Sequence, residues 1–347
     1  MPICPPTTSV DAHTFLVLSG VGDVIDVRSP LEFAQGHIPS AVNVPLFDDE
    51  QRAAVGTMYQ HRGTEAAIAL GFELVGPRME SLRQACLRHA GDGAARIHCW
   101  RGGMRSESVA WLLQRSGYKV YLLQGGYKAY RHEVLGAFER SLRLIVLGGL
   151  TGAGKTDTLH ALRAQGEQVL DLEGLAHHKG SAFGWLGEKP QPSSEMFENA
   201  LHAQLERLDL RRRIWIEDES RNIGKVVVPQ ALHQQMGKAR TVFLEATHAS
   251  RMQRLLRDYT RYNPADIVSA IERLRKRLGD VAVRECVAAV EQGDFETAIG
   301  MVLAYYDKRY AYSLNYKDRE MMRLPVGDDR PQAVACNLRA WADGAGL

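Results

Sequence analysis

The chain has 347 residues, 45% hydrophobic and 24% charged, with 43 basic and 41 acidic side chains for a net charge of +2. That length and composition exclude a disordered or fibrous chain and make two domains the expectation. The near-balanced charge excludes a bulk drive toward polyanions, so any nucleic-acid surface must be local. The five cysteines, at 4, 86, 99, 286 and 336, form no CxxC pair, which argues against a disulfide framework and a zinc ribbon. Apolar runs such as Leu144-Ile145-Val146-Leu147 fall well short of the roughly 18 to 20 residues that span a bilayer. The start, Met1-Pro2-Ile3-Cys4-Pro5-Pro6, lacks the basic end and apolar core of a signal peptide. A reducing, cytoplasmic setting with no membrane partner is expected.

In chain order, Val24 to Val27 reads as a strand, Pro30 to Gln35 as a turn of helix and Ala41 to Val44 as a second strand. Ala95 to His98 and Val120 to Leu123 are further strands, with a helix from about Ser106 to Ser116 between them. This alternation predicts an α/β fold with a mostly parallel sheet. A helical stretch from Tyr127 to Arg140 then gives way to the strand-like Leu142 to Leu147 and a glycine-rich turn, which places a domain boundary between about 135 and 142. We take residues 1–138 as the first domain and 139–347 as the second. Gln168 to Leu170 and Ile214 to Ile216 read as strands of the second domain. Asn263-Pro264 caps a helix to about Leu278, Gly279-Asp280 opens another, and a third runs from about Phe295 to Tyr306. The α/β core of the second domain is therefore expected to end near Glu245, with a helical extension over about 248–347.

The most informative stretch of the first domain is His98-Cys99-Trp100-Arg101-Gly102-Gly103-Met104-Arg105-Ser106, at a strand-to-helix junction. Its two glycines permit the positive φ angles by which a loop turns its amides toward one point, making an anion nest. With Cys99 at the base, those amides, the helix N-terminus and Arg105 would favour thiolate over thiol. Cys4, Cys86, Cys286 and Cys336 lack such a setting and are expected to be structural.

The second domain carries Gly149-Leu150-Thr151-Gly152-Ala153-Gly154-Lys155-Thr156, a G-x4-G-K-[ST] phosphate loop between a strand and a helix reaching about Gln165. Amides from Gly152 through Ala153 and Gly154 to Thr156 would wrap a diphosphate, Lys155 would neutralise its oxygens, and the Thr156 hydroxyl could hold Mg²⁺. Glu217, Asp218 and Glu219, at a strand end before Arg221, are candidates for the acidic partner of that ion, with Asp171 and Glu173 ranked behind them, and Arg221 is a candidate tRNA or phosphate contact. Residues 248–278 hold eight basic side chains against three acidic ones. Arg251, Arg254 and Arg257 recur there at helical spacing, as expected of a lid over phosphates or a track along RNA backbone.

Asp26-Val27-Arg28-Ser29-Pro30, Glu32-Phe33 and Gly36-His37-Ile38-Pro39 through Pro45 resemble the N-terminal signatures of rhodanese domains, and Cys99 to Ser106 resembles their catalytic loop. The resemblance implies a chalcogen carried on Cys99. Here Arg105 stands six positions after the cysteine, one more than in common rhodanese loops. The resulting His-Cys-x5-Arg-Ser pattern is also similar to that of tyrosine and dual-specificity phosphatases, whose larger loop cradles a tetrahedral phosphate.

Taken together, the two domains resemble the bacterial tRNA 2-selenouridine synthase family. Further matching stretches are Val55-Gly56-Thr57-Met58-Tyr59 with Gly63 and Gly71, Asp171 to Ala176, Gly180-Ser181 with Phe183-Gly184, Gln191-Pro192 with Phe197-Glu198-Asn199, and Glu217 to Arg221 with Ile223-Gly224. That resemblance implies a rhodanese-like parallel-sheet domain followed by a P-loop NTPase-like α/β domain with a helical C-terminal extension. It implies a transferase that replaces the sulfur of wobble 2-thiouridine in tRNA by selenium through an S-geranyl intermediate. Geranyl diphosphate and selenophosphate are the implied substrates, and selenophosphate synthetase is an implied partner. Cys99 and Arg105 would then be catalytic. Trp100, Arg101, Gly102, Gly103 and Ser106 would line the selenophosphate loop, and Gly149 to Thr156 would take the diphosphate. Two other readings are open at this point: a Cys-x5-Arg phosphatase fused to a P-loop kinase, and a nucleotide-gated RNA-binding module in which Cys99 is incidental.

Overall fold

A computed structural model of the chain describes residues 7–314, 321–327 and 330–347. Cys4 and the start of the chain, read above against a signal peptide, lie outside the described residues. The chain divides into two compact units, Met1–Ala137 and Phe138–Leu347.

The first unit runs β1 (Thr7–Val10), α1 (Ala12–Val17), β2 (Val24–Asp26), α2 (Pro30–Gln35), β3 (Val42–Asn43) and α3 (Asp49–Val75), then α4 (Met79–Leu87), β4 (Ala94–His98), α5 (Met104–Arg115), β5 (Lys119–Leu123) and α6 (Gly126–Ala137). Its strands form one parallel sheet in the order β1-β5-β4-β2-β3. A parallel sheet covered on both faces buries its central strands completely, which is why they read as short unbroken apolar runs. Ile25, Ile97 and Val120 are fully buried and pack with Leu113 of α5 and Cys86 of α4. Each aliphatic side chain so buried contributes about 1.5–3 kcal/mol of transfer free energy. Ser29 and Glu32 close a capping box around Pro30, so the short α2 is fixed at its start.

The second unit runs β6 (Leu144–Gly149), α7 (Lys155–Ala164), β7 (Gln168–Leu170), α8 (Leu172–Ala176), α9 (Ser194–Leu205), β8 (Ile214–Glu217), β9 (Asn222–Ile223) and β10 (Val226–Val227). It continues through α10 (Gln230–Lys238), β11 (Arg240–Ala246), α11 (His248–Tyr259), α12 (Pro264–Glu272), α13 (Arg275–Leu278), α14 (Asp280–Glu291), α15 (Phe295–Leu314), β12 (Met321–Val326) and α16 (Pro331–Gly344). Five strands form a parallel sheet in the order β12-β11-β6-β8-β7, and β9 and β10 make a small antiparallel hairpin. The helical region carries its own apolar cluster, in which Ile267, Ile271, Val283 and Cys286 pack with Phe183 and Leu186 from the segment after α8.

Two expectations are corrected here. The α/β core does not end near Glu245, because β12 pairs in parallel with β11 from Thr241↔Met321 to Ala246↔Val326. Helix α16 then buries Val334, Ala335, Leu338 and Ala342 in the same core as Leu159 and Leu162 of α7. The extension is thus a helical insertion before the last strand and helix of the core. Pro325 and Arg323 hid this strand from the sequence reading, and β12 is an edge strand, where a proline is tolerated. The helix expected from Pro264 to Leu278 is two helices, α12 and α13, with a break at Arg273-Leu274. Asn263 caps the first through the Ala265 amide, at 3.0 Å.

Candidate functional site

Strand β4 delivers Cys99 to the start of a loop whose residues 101–103 precede α5. The side chain is only 3% exposed, and its Sγ lies 3.2 Å from Ser106 Oγ and 3.8 Å from the Gly103 carbonyl. Ser106 also donates to the Gly103 carbonyl at 3.0 Å. A hydroxyl has one proton to give. While sulfur is a thiol, its S–H can point at Ser106 Oγ; once it ionises, the Ser106 proton can turn from the Gly103 carbonyl to the sulfur. The amides of Arg101, Gly102 and Gly103 make no hydrogen bond among the described residues, so they are left to solvent or to an anion.

The loop is held from below by the start of α6, a contribution the sequence reading did not anticipate. The amides of Tyr127 and Lys128 donate to the carbonyls of Cys99 and Trp100, both at 2.9 Å. Gly126, at φ +63°, comes so close that a Cβ there would stand 2.4 Å from the Gly102 nitrogen. The backbones touch because neither residue has a side chain.

Beneath the loop, Asp26, Arg28 and His98 are fully buried. Arg28 grips Asp26 at 2.7–3.1 Å, donates to the Gly36 carbonyl at 2.7 Å and lies 3.8 Å from the Tyr127 ring centroid. Burial pushes Asp26 toward its neutral form, yet His98 and Arg28 outweigh it and hold the carboxyl below its usual value. Burial lowers the His98 imidazole, against the pull of Asp26. Trp100 leans on Tyr127 with ring centroids 5.8 Å apart, and Arg101 is exposed.

Arg105 is tied to Glu32 rather than free over the loop, with contacts of 2.7 and 3.3 Å. The same carboxylate accepts the Ser29 amide at 3.1 Å and has Arg52 at 3.8 Å. Burial opposes ionisation of Glu32, but the Arg105 hydrogen bond prevails and its carboxyl is held below the usual range. In the sequence Glu32 figured only as part of a signature; its functional place, 73 residues from Arg105, becomes visible only in three dimensions. Among the other described cysteines, burial pushes the Cys86 thiol up to about 12 and raises Cys286 as well. Cys336 is exposed rather than core, with Sγ 3.6 Å from Gln165.

The second loop leaves β6 at Gly149 and enters α7 at Lys155, with Gly152 and Gly154 at φ +80° and +87°. Lys155 Nζ donates to the Gly149 carbonyl at 3.0 Å. The amides of Gly152, Gly154, Lys155 and Thr156 carry no hydrogen bond among the described residues. The Ala153 amide does not join them: it closes a turn onto the Leu150 carbonyl at 3.0 Å.

The acidic residues also sort differently from expectation. The carboxylate that touches the loop is Glu173 from α8, which accepts Thr156 Oγ1 at 2.9 Å. Glu217, at the end of β8, is fully buried, accepts the Leu172 amide at 3.0 Å and leaves its other oxygen unpartnered. Burial, then Asp171 and Glu173, push it well above the usual carboxylate range. Glu219 is pushed up to about 8 by burial and by Glu173, against the pull of Lys155. Asp218 holds the Leu147 carbonyl through its amide at 3.0 Å, and Arg221 is exposed. No three His, Cys, Asp or Glu side chains converge as a metal-binding set among the described residues. The Thr156 hydroxyl and the Glu173 carboxylate are nevertheless the hard oxygen donors that suit Mg²⁺.

The basic track on α11 is not one surface. Arg251 is 3% exposed and bound to both oxygens of Asp307 at 2.7 and 2.6 Å and to the Thr151 carbonyl at 3.2 Å. It cannot reach an RNA backbone. Arg254 turns inward and donates to the Gly152 carbonyl. Arg257 is exposed and shares Asp258 with Arg261, at 3.1 and 3.4 Å, while Arg275 is paired with Glu272 and Asp280. Asp307 and Asp280, from outside the stretch, thus meet part of the excess charge counted in the sequence.

Two strand-loop-helix junctions, one carrying a buried cysteine and one a phosphate cradle, define a protein in which a rhodanese-type α/β domain precedes a P-loop α/β domain. The rhodanese-like domain model matches residues 12–133, and the model for the tRNA 2-selenouridine synthase AAA domain matches residues 142–340. A tRNA 2-selenouridine synthase from Shewanella denitrificans is 35% identical over 356 aligned positions, covering 92% of this chain and 94% of the relative. The chain belongs to the tRNA 2-selenouridine synthase family. Among solved structures, the N-terminal domain of a protein from Clostridium difficile 630, named for ATP/GTP binding, shares 37% identity. That match covers 37% of this chain and 99% of the other, at a TM-score of 0.34. No helix among the described residues is long and apolar enough to cross a membrane.

Proposed function

We propose that this protein is a tRNA 2-selenouridine synthase, a transferase of the cytoplasm that exchanges the sulfur of wobble 2-thiouridine for selenium by way of an S-geranyl intermediate. The observation that carries the proposal is the presence in one chain of two loops with unspent amides, one beside a nucleophile and one beside a lysine.

In the first step the thiocarbonyl sulfur attacks C1 of geranyl diphosphate, the C1–O bond breaks and diphosphate leaves. The ring N3 proton passes to solvent and a C2=N3 bond forms. The amides of Gly152, Gly154, Lys155 and Thr156, with the Lys155 ammonium, take up the charge that develops on the leaving group. Mg²⁺, when bound, would add a hard Lewis acid at those oxygens, held by Thr156 and Glu173. In the second step selenium from selenophosphate replaces geranylthiol at C2, and water releases the phosphate. Cys99 positions that selenium for attack on C2, and Arg105 with the Gly102 and Gly103 amides holds the phosphate. Selenophosphate synthetase is the partner that would supply the donor.

The test is an omission series with purified protein, 2-thiouridine tRNA, geranyl diphosphate and selenophosphate, read by nucleoside mass. S-geranyl-2-thiouridine should accumulate without selenophosphate, and 2-selenouridine should require both donors. Selenouridine formed at full yield without geranyl diphosphate would refute the proposed sequence of steps.

A further inference from the structure

The geometry points to Arg254 as a catalytic residue of the prenyl-transfer step, a guanidinium that passes from the Gly152 carbonyl to the departing diphosphate. This inference rests on the proposed function and assigns to the leaving group a residue that helical spacing had offered equally to RNA.

Three observations converge. Arg254 donates to the Gly152 carbonyl inside the phosphate loop, and its Cζ lies only 3.1 Å from where a Cβ on Gly154 would stand. The loop and the arginine are matched, since only glycine at φ +87° both adopts that turn and leaves room for the guanidinium. Second, Arg254 has no carboxylate partner among the described residues, unlike Arg251, Arg257 and Arg105. A guanidinium resting on one carbonyl keeps most of its five donors and its full charge for an anion. Third, the helix that carries it is pinned. One turn earlier, Arg251 is clamped between Asp307 and the Thr151 carbonyl, so Arg254 is aimed without further ordering cost.

The chemistry needs such a group. When sulfur attacks C1, the C1–O electron pair moves onto the diphosphate, which gains one unit of negative charge as the bond breaks. Lys155 supplies one positive charge beside the loop amides. Arg254 supplies a second, in a fork that can bridge two phosphoryl oxygens. Because the added charge exists only as the bond breaks, the contribution falls on turnover more than on donor binding.

The experiment measures S-geranylation of 2-thiouridine tRNA with geranyl diphosphate alone. Arg254→Ala should lower kcat by about 100-fold while changing KM for geranyl diphosphate by about threefold or less, with guanidinium ion restoring part of the rate. Arg254→Lys should fall between Ala and wild type. Each variant should convert pre-geranylated tRNA to selenouridine at the wild-type rate, which reports an intact fold. An unchanged kcat in Arg254→Ala, a loss confined to KM, or an equal loss on pre-geranylated tRNA would overturn the assignment. Lys155→Ala separates the two levels. If it geranylates normally, the diphosphate reading of the loop fails; if it is inactive while Arg254→Ala is normal, only this inference fails.

Discussion

The Cys99 loop and the 149–156 loop share one plan, a buried strand feeding a glycine-rich turn and a helix, yet they hold their cations in opposite ways. Arg105 is bound to a carboxylate, Glu32, at 2.7 Å. Lys155 and Arg254 rest on backbone carbonyls of the 149–156 loop, and the nearby Glu173 carboxylate bonds the Thr156 hydroxyl. An anion at the first loop must compete with a full negative charge for its arginine, whereas at the second it displaces only a dipole. The first loop is thereby guarded and the second open. The carboxyls follow suit: Glu32 is held low by Arg105 against its burial, while Glu219 is pushed up by burial and Glu173.

The sharpest way to break the comparison is Lys155→Ala. Losing a charge-assisted contact of about 1.5–3 kcal/mol should weaken geranyl diphosphate binding roughly 10- to 100-fold by calorimetry. Unchanged affinity would remove the cation from the open loop's account. Next comes Glu219→Gln. A carboxyl raised to about 8 contributes stability that is full below its ordinary value near 4.5 and is lost as pH rises through 8. The Gln variant should therefore melt several degrees above wild type beyond pH 8 and show a smaller gain at pH 5. Glu32 has the opposite sign: its stabilisation is present at neutral pH and disappears only as pH falls below the ordinary carboxylate range. Glu32→Gln should free Arg105 and lower KM for selenophosphate by at least roughly two- to fivefold, since this pair is only 22% and 19% exposed and even exposed pairs are worth about 0.2–1 kcal/mol. A raised KM would mean that Glu32 aims Arg105 rather than guards it. The smallest effect belongs to Arg257→Ala. This exposed arginine is already paired with Asp258, and the salt slope of tRNA binding should change by less than about 1.

The two loops were legible in the sequence because their chemistry is local: glycines, the nucleophile or lysine, and the flanking strand and helix are contiguous. Helix α2 and strand β7 were read to their ends because Ser29-Pro30 and the short run before Asp171 are local signals too. What escaped depends on long separations. Glu32 meets Arg105 across 73 residues and Arg251 meets Asp307 across 56. Gly126 reaches Gly102 only because α6 starts under the loop. Helical spacing on α11 left a lid over phosphates and a track along RNA equally open; the fold brings Arg251 and Arg254 onto carbonyls of the phosphate loop, as the first reading requires. Strand β12 was hidden because pairing with β11, rather than its own pattern, makes it a strand.

The central claim is that the guarded loop handles selenium and the open loop handles the prenyl donor. Its most direct measurement supplies pre-geranylated tRNA and selenophosphate to Cys99→Ser and to Lys155→Ala, with nucleosides analysed by mass. Lys155→Ala should form 2-selenouridine at about the wild-type rate, and Cys99→Ser should form none while still geranylating 2-thiouridine tRNA. Selenouridine from Cys99→Ser at the wild-type rate, or equal loss in both folded variants, would contradict the division of labour.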